Sequence, residues 1–177
     1  MHEPAFAMDT NGDSILDVVD RNGVWVQGAN HQFTLIPQPS FGSFEPIAAG
    51  DIDGDGDMDL LAGMHGTTLG IAVLRQTAPN TFTVQVVSAS NNHAVPDHGG
   101  VLVDLDGDGD LDIAVDRSWA SGDFEVWENQ GGTFVLAWSA SLGLSLATVQ
   151  AMAGDVDADG RIDLAFEVGN TMYVYRR

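Results

Sequence analysis

Four nine-residue stretches of the chain share one grammar, so any fold must place four copies of the same acidic loop in equivalent surroundings. They read DTNGDSILD from Asp9 to Asp17, DIDGDGDMD from Asp51 to Asp59, DLDGDGDLD from Asp104 to Asp112 and DVDADGRID from Asp155 to Asp163. Each carries an oxygen-bearing side chain at positions 1, 3, 5 and 9. Apolar residues follow at once: Val18-Val19, Leu60-Leu61-Ala62, Ile113-Ala114-Val115 and Leu164-Ala165-Phe166. Crowded carboxylates repel one another, and a folded chain keeps them together only if a cation neutralises them or the segment stays extended and solvated. A solvated acidic run would not lead four times into an apolar strand, which favours the cation.

The donor set selects which cation. Calcium accepts six to eight oxygen ligands and tolerates irregular geometry, whereas magnesium demands a near-ideal octahedron and gives up water reluctantly. Zinc and copper want His or Cys, and no loop contains either. Up to four calcium ions are therefore expected. Their candidate side-chain ligands are Asp9, Asn11, Asp13 and Asp17; Asp51, Asp53, Asp55 and Asp59; Asp104, Asp106, Asp108 and Asp112; and Asp155, Asp157, Asp159 and Asp163. Position 7, held by Ile15, Asp57, Asp110 and Arg161, is expected to contribute its backbone carbonyl. Gly56, Gly109 and Gly160 at position 6 allow the sharp turn this requires. The first loop has Ser14 there and Asn11 at position 3, and is expected to be the weakest site. A helix-loop-helix calcium site would need a bidentate Glu at position 12 and flanking helices. Position 12 is Asp20, Ala62, Val115 and Phe166, and the flanks are β-branched and glycine-rich. That reading fails.

The pattern D-x-D-x-D-G-x-x-D followed by an apolar strand resembles the FG-GAP or VCBS repeats of integrin α-subunit β-propellers and of many secreted bacterial and fungal proteins. The resemblance covers the whole chain as four repeats. It implies that each loop joins the first two strands of a propeller blade and holds calcium, and that the chain is an extracellular or cell-surface interaction or adhesion module.

The formal net charge of −20 is concentrated in these loops, which hold most of the 26 acidic residues. Four calcium ions would bring it to about −12. With six Lys and Arg scattered along the chain there is no phosphate-binding surface, and nucleic acid and anionic membranes are rejected as partners. No apolar run approaches spanning length. The absence of cysteine removes disulfides, zinc ribbons and iron–sulfur clusters. Exposed loops of this kind fill at millimolar calcium, which favours an extracellular or cell-surface location. MHEPAF shows neither the basic start nor the apolar stretch of a signal peptide, so a mature form or another secretion route is expected.

Taken in order, the chain predicts short strands punctuated by turn residues. PAFAM, LDVVD, VWVQG and QFTLI form the first unit; EPIAAG, DLLAGM, GIAVLRQ and TFTVQVVS the second. GVLV, LDIAVD, DFEVWEN and TFVLAWS form the third, with Gly131-Gly132 as a hairpin, and ATVQAMAG, IDLAFEV and NTMYVYRR the fourth. The expectation is one all-β domain over 1–177, a β-propeller of about four antiparallel blades, with repeats near 4–42, 43–95, 96–146 and 147–177. The last repeat lacks its outer strand, leaving Thr171–Tyr175 as an edge on which another chain can add.

No catalytic group stands out among the residues. His93, Asp97 and His98 in the connector before repeat three read as a polar surface loop, and Asp116, Asp123, Glu125 and Glu128 as solvated strand edges. Trp25, Trp127, Tyr173 and Tyr175 fall on third strands, where they serve as inter-blade core or, alternatively, as sugar-stacking rings. Trp119 is the single best candidate for touching a partner. The expected function is non-catalytic: a protein-binding, adhesion or self-assembling homo-oligomeric module. The alternatives are a subunit that polymerises by strand addition at the last blade, or a glycan-binding lectin.

Overall fold

Short apolar runs follow each loop, and strands buried on both faces suit such runs. The computed structural model describes residues 5–38, 41, 44–65, 69–90, 99–117, 123–141, 150–168 and 171–176, and among these no α-helix forms. The first sheet contains β1 (Phe6–Met8), β2 (Asp17–Asp20), β3 (Gly23–Gln27) and β4 (Phe33–Pro37). The second contains β5 (Phe44–Gly50), β6 (Asp59–Met64), β7 (Leu69–Ala78) and β8 (Thr81–Ser90). The third contains β9 (Gly100–Val103), β10 (Asp112–Arg117), β11 (Asp123–Asn129) and β12 (Phe134–Ser141); the fourth contains β13 (Gln150–Gly154), β14 (Asp163–Val168) and β15 (Thr171–Tyr175). Each sheet is an antiparallel meander in chain order, and the fourth has three strands among the described residues. The expected all-β class and the strand order are what the structure has. Gly131 and Gly132, both at positive φ, make the β11–β12 hairpin.

Side chains alternate between the two faces of a strand, and here both faces are used. Leu60, Ala62 and Leu74 of the second sheet pack on Met8, Val19 and Val24 of the first. Its other face, with Leu61, Ile71 and Val73, packs on Ile113 and Val115 of the third. Ala114, Phe124 and Val126 on the far side of the third sheet then meet Leu164 and Phe166 of the fourth. Three cores thus join four sheets in sequence, and among the described residues none of these clusters joins the fourth to the first. The first strands lie side by side, β1 by β5, β5 by β9 and β9 by β13. A Cβ on Gly100 would come within 2.9 Å of the Ile47 side chain and 3.1 Å of that of Val115, so this glycine permits the close approach of β5 and β9.

Trp25, Trp127 and Tyr175 occupy one register position, opposite Val18, Ile113 and Leu164. Leu74 stands there in the second sheet, and Tyr173 lies two residues earlier, opposite Phe166, so three of the four third-strand rings are equivalent. Trp127 packs on the core between sheets two and three, and Tyr173 and Tyr175 on that between three and four. Two further residues are buried outside the strand patterns described above. Phe41, in the connection after β4, is fully buried against Phe82, with ring centroids 5.5 Å apart. Asp116 is buried on the face shared with sheet four, so the solvated-edge reading is wrong for this residue.

The stack between sheets three and four rests on Phe124 and Phe166, parallel rings 4.4 Å apart. Phe124→Ala should cost about 3–5 kcal/mol, read from the urea midpoint of unfolding. A cost below about 1 kcal/mol would mean that these sheets do not depend on one another.

Candidate metal centres

Each loop joins the first and second strands of its sheet and is shaped by hydrogen bonds to its own carboxylates. The aspartate at position 1 accepts backbone N–H groups from later in the loop. Gly12 and Ser14 donate to Asp9, Gly54 and Gly56 to Asp51, Gly107 and Gly109 to Asp104, and Asp159 and Gly160 to Asp155. Position 7 donates its N–H to the carboxylate at position 5 in every copy, over 2.8–3.0 Å. These bonds wind the chain so that alternate side chains turn to one side.

Two left-handed residues are needed per loop, at positions 4 and 6. Position 4 is Gly12, Gly54, Gly107 and Ala158; position 6 is Ser14, Gly56, Gly109 and Gly160. The sequence reading identified the turn at position 6 and missed the one at position 4. Loops two and three have glycine at both places, while Ser14 in loop one and Ala158 in loop four each hold a left-handed conformation against their Cβ.

The aspartate at position 9 begins the second strand and is buried in all four repeats. One of its oxygens accepts the position-2 N–H: Thr10 to Asp17 at 3.1 Å, Ile52 to Asp59 at 3.0 Å, Leu105 to Asp112 at 2.9 Å and Val156 to Asp163 at 3.0 Å. The other accepts a third-strand N–H, from Gln27, Gln76 and Asn129 in repeats one to three, at 2.8–2.9 Å. In loop one the Thr10 hydroxyl also donates to Asp17.

Carboxylate oxygens within 4.8 Å of one another come from Asp51, Asp53 and Asp59; from Asp104, Asp106 and Asp108; and from Asp155, Asp157 and Asp163. An oxygen-only set of this kind fits a hard divalent cation. These nine predicted ligands are thus brought together in threes, while Asp55, Asp112 and Asp159 stand outside the groupings. Loop one, with Asn11 at position 3, forms no such group among the described residues. Loops three and four face each other across a cleft of about 380 Å³ lined by Leu105, Asp106, Arg161 and Ile162.

Cations of the chain itself also reach the loops. Arg75 lies 3.1 Å from Asp53, and Arg176 lies 3.5 Å from Asp157. Each arginine follows the residue paired with the first apolar position of the second strand, and each meets position 3 of its own loop. Two of the six basic residues are therefore placed by the repeat, which corrects the reading of them as scattered.

Burial pushes the Asp59 carboxyl up to about 6, against the backbone N–H groups of Gln76 and Ile52 that favour its charged form, with Asp53 and Asp55 adding repulsion. Burial likewise raises Asp112. Burial would also raise Asp9, yet the N–H groups of Ser14, Asn11, Gly12 and Asp13 together hold it below its usual value.

His65 pairs with Glu45 at 3.0 Å, and Glu125 accepts the Trp127 indole N–H at 3.0 Å. His93, Asp97, His98 and Trp119 lie outside the described residues.

Two outcomes follow from the loop geometry. Ala158→Gly should stabilise the protein by about 1 kcal/mol and Gly109→Ala destabilise it by a similar amount, read by denaturant unfolding, since a Cβ at Gly109 meets nothing within 4 Å and only the backbone is strained. For Asp59, the native metal-free chain binds the proton more tightly than the unfolded chain. The group therefore contributes stability below pH 4 that is lost as pH rises through about 6. A divalent cation needs the ionised form. Its affinity for loop two should fall about tenfold from pH 7 to pH 5, measured by titration calorimetry. A pH-independent affinity would separate Asp59 from the cation.

A family model for the FG-GAP-like repeat matches residues 9–62 and 104–166. No curated protein matches the chain significantly. Each matched segment begins at the first aspartate of a loop and runs through the next loop into the strand beyond it, so all four loops are included. Since the matches cover well over half of its length, the chain belongs to the FG-GAP-like repeat family.

Proposed function

We propose that the chain is a calcium-stabilised, four-bladed β-propeller module of the extracellular space or cell surface that works by binding and self-assembly, without catalysis. The observation that carries this is the recurrence of one oxygen-only loop at the same place in all four sheets, with carboxylates gathered in three of them. Each sheet is read as one blade of a single domain, in repeats near 4–42, 43–95, 96–146 and 147–177. The family is one of interaction and adhesion modules and is generally non-enzymatic.

In this reading calcium is held by positions 1, 3, 5 and 9 and the carbonyl of position 7. It neutralises the clustered charge and fixes the hairpin that joins the first two strands. Among the described residues no helix is long and apolar enough to cross a membrane. A second reading, polymerisation by strand addition, is favoured by β15, which is an edge strand in the fourth sheet. Trp127, Tyr173 and Tyr175 are half-buried against inter-sheet cores, which supports their reading as core over the glycan-binding alternative.

A cation that binds only the native state stabilises it by about 2.7 kcal/mol per site at one hundred times its Kd. Chelation should therefore lower Tm by more than about 10 °C, followed by calorimetry. An unchanged Tm after rigorous calcium removal would overturn the proposal. Asp53→Ala and Asp106→Ala should each weaken calcium binding more than Asn11→Ala, and titration of the three variants in the reverse order would place the weakest site elsewhere.

A further inference from the structure

The register sets which neighbour each inner sheet face meets. Positions 10 and 12 after a loop, and the third-strand residue paired with position 10, face the preceding sheet: Leu60, Ala62 and Leu74 face sheet one, and Leu164, Phe166 and Tyr175 face sheet three. Position 11 faces the following sheet, as Leu61 and Ala114 do. Within the loops, position 8 also turns back: Met58 packs on the core with sheet one, and Ile162 on that with sheet three. Position 2 turns forward and is covered by the next sheet. Ile52 is 1 % exposed and Leu105 is 5 % exposed.

Among the described residues, the two outer faces carry the same pattern without a cover. On the first sheet Leu16, at position 8, is 57 % exposed, and it shares the backward face with Val18, Trp25, Leu35 and Phe33. On the fourth sheet Val156, at position 2, is 55 % exposed, and it shares the forward face with Met152, Met172 and Val174. Polar groups repeat as well. Gln76 donates its side-chain amide to the carbonyl of Thr10, and Asn129 to that of Ile52, each reaching back to position 2 of the preceding loop. Gln27 holds the corresponding place in sheet one, two residues after Trp25. The Trp25 indole N–H meets Asp20 at 3.2 Å, as that of Trp127 meets Glu125 inside an inter-sheet contact.

We propose that the backward face of the first sheet packs on the forward face of the fourth sheet in a second copy of this chain, head to tail, continuing the contact that joins its own successive sheets. The inference rests on the repeat reading above and names the surface through which the module assembles. A contact between unlike faces closes into a ring where the rotation allows and otherwise extends as a filament.

The test is light scattering of the 177-residue chain in millimolar calcium over a range of concentrations, with calorimetric calcium titration of the same samples. The expected mass is that of two chains or more. Met172→Asp on the fourth sheet and Trp25→Asp on the first should each reduce it at least twofold, to one chain. Phe33→Asp, at an exposed position of the outer strand, serves as a second first-sheet variant should Trp25→Asp fail to fold. An equimolar mixture of a first-sheet and a fourth-sheet variant should recover a two-chain species, because one intact pair of faces remains. A single-chain mass for the unaltered protein would overturn the inference, whether sheets one and four close on each other or a different partner covers them. Association that survives either substitution alone would also overturn it, pointing to like faces or to the β15 edge. A calcium-stabilised monomer would leave the calcium-stabilised binding module standing without its self-assembly, and face-dependent association without calcium binding would leave only the interface.

Discussion

The aspartate at position 9 is the constraint on which the rest of each repeat depends. It is buried and begins the second strand, and in repeats one to three its two oxygens are answered by amides from different parts of the chain. One amide closes the loop and the other belongs to the third strand. A buried carboxylate without such donors would be costly enough to stay protonated, and even with them Asp59 is pushed up. Loop closure and strand pairing are therefore one event. On the proposed reading, a cation that settles the charge of the loop strengthens the hairpin through this residue.

The same aspartate sets the phase of everything after it. Because it is the first residue of its strand, alternation sends position 10 to the backward face and position 11 to the forward face of every sheet. A one-residue slip would exchange these faces and lose both hydrogen bonds to the carboxylate. Successive sheets stack in one sense because each loop ends in the same register, and the lateral spacing is then tuned locally, as where Gly100 lets β9 approach Ile47.

Strands and loops were legible in the sequence because both signals are local: a period of two in the apolar residues, and a fixed spacing of oxygens. The pairing of third-strand amides with position 9 was not, since Gln76 lies 17 residues from Asp59 and its role is played by the backbone, which any residue supplies. Residues that act across repeats were equally hidden. Thr10 meets Asn80 over 70 positions, and Phe41 and Asp116 are buried although neither lies in a local pattern that marks it as core. The left-handed turn at position 4 could have been found. Gly12, Gly54 and Gly107 recur there, and Ala158 interrupts the series in the loop where the turn is strained.

Arg75 and Arg176 show how the four loops came to differ within one pattern. Each supplies part of the positive charge that its loop requires, at the position-3 carboxylate. In the third sheet the corresponding place, one residue after Trp127, holds Glu128. Loop three thus has five aspartates and no arginine at that place, while loops two and four carry a built-in partial counter-ion. Such a side chain reduces repulsion in the metal-free state and must yield some of its contact when a cation enters. On the proposed reading, loop three is the repeat whose folding is tied most closely to calcium, and its neighbours fold with less demand on the ion.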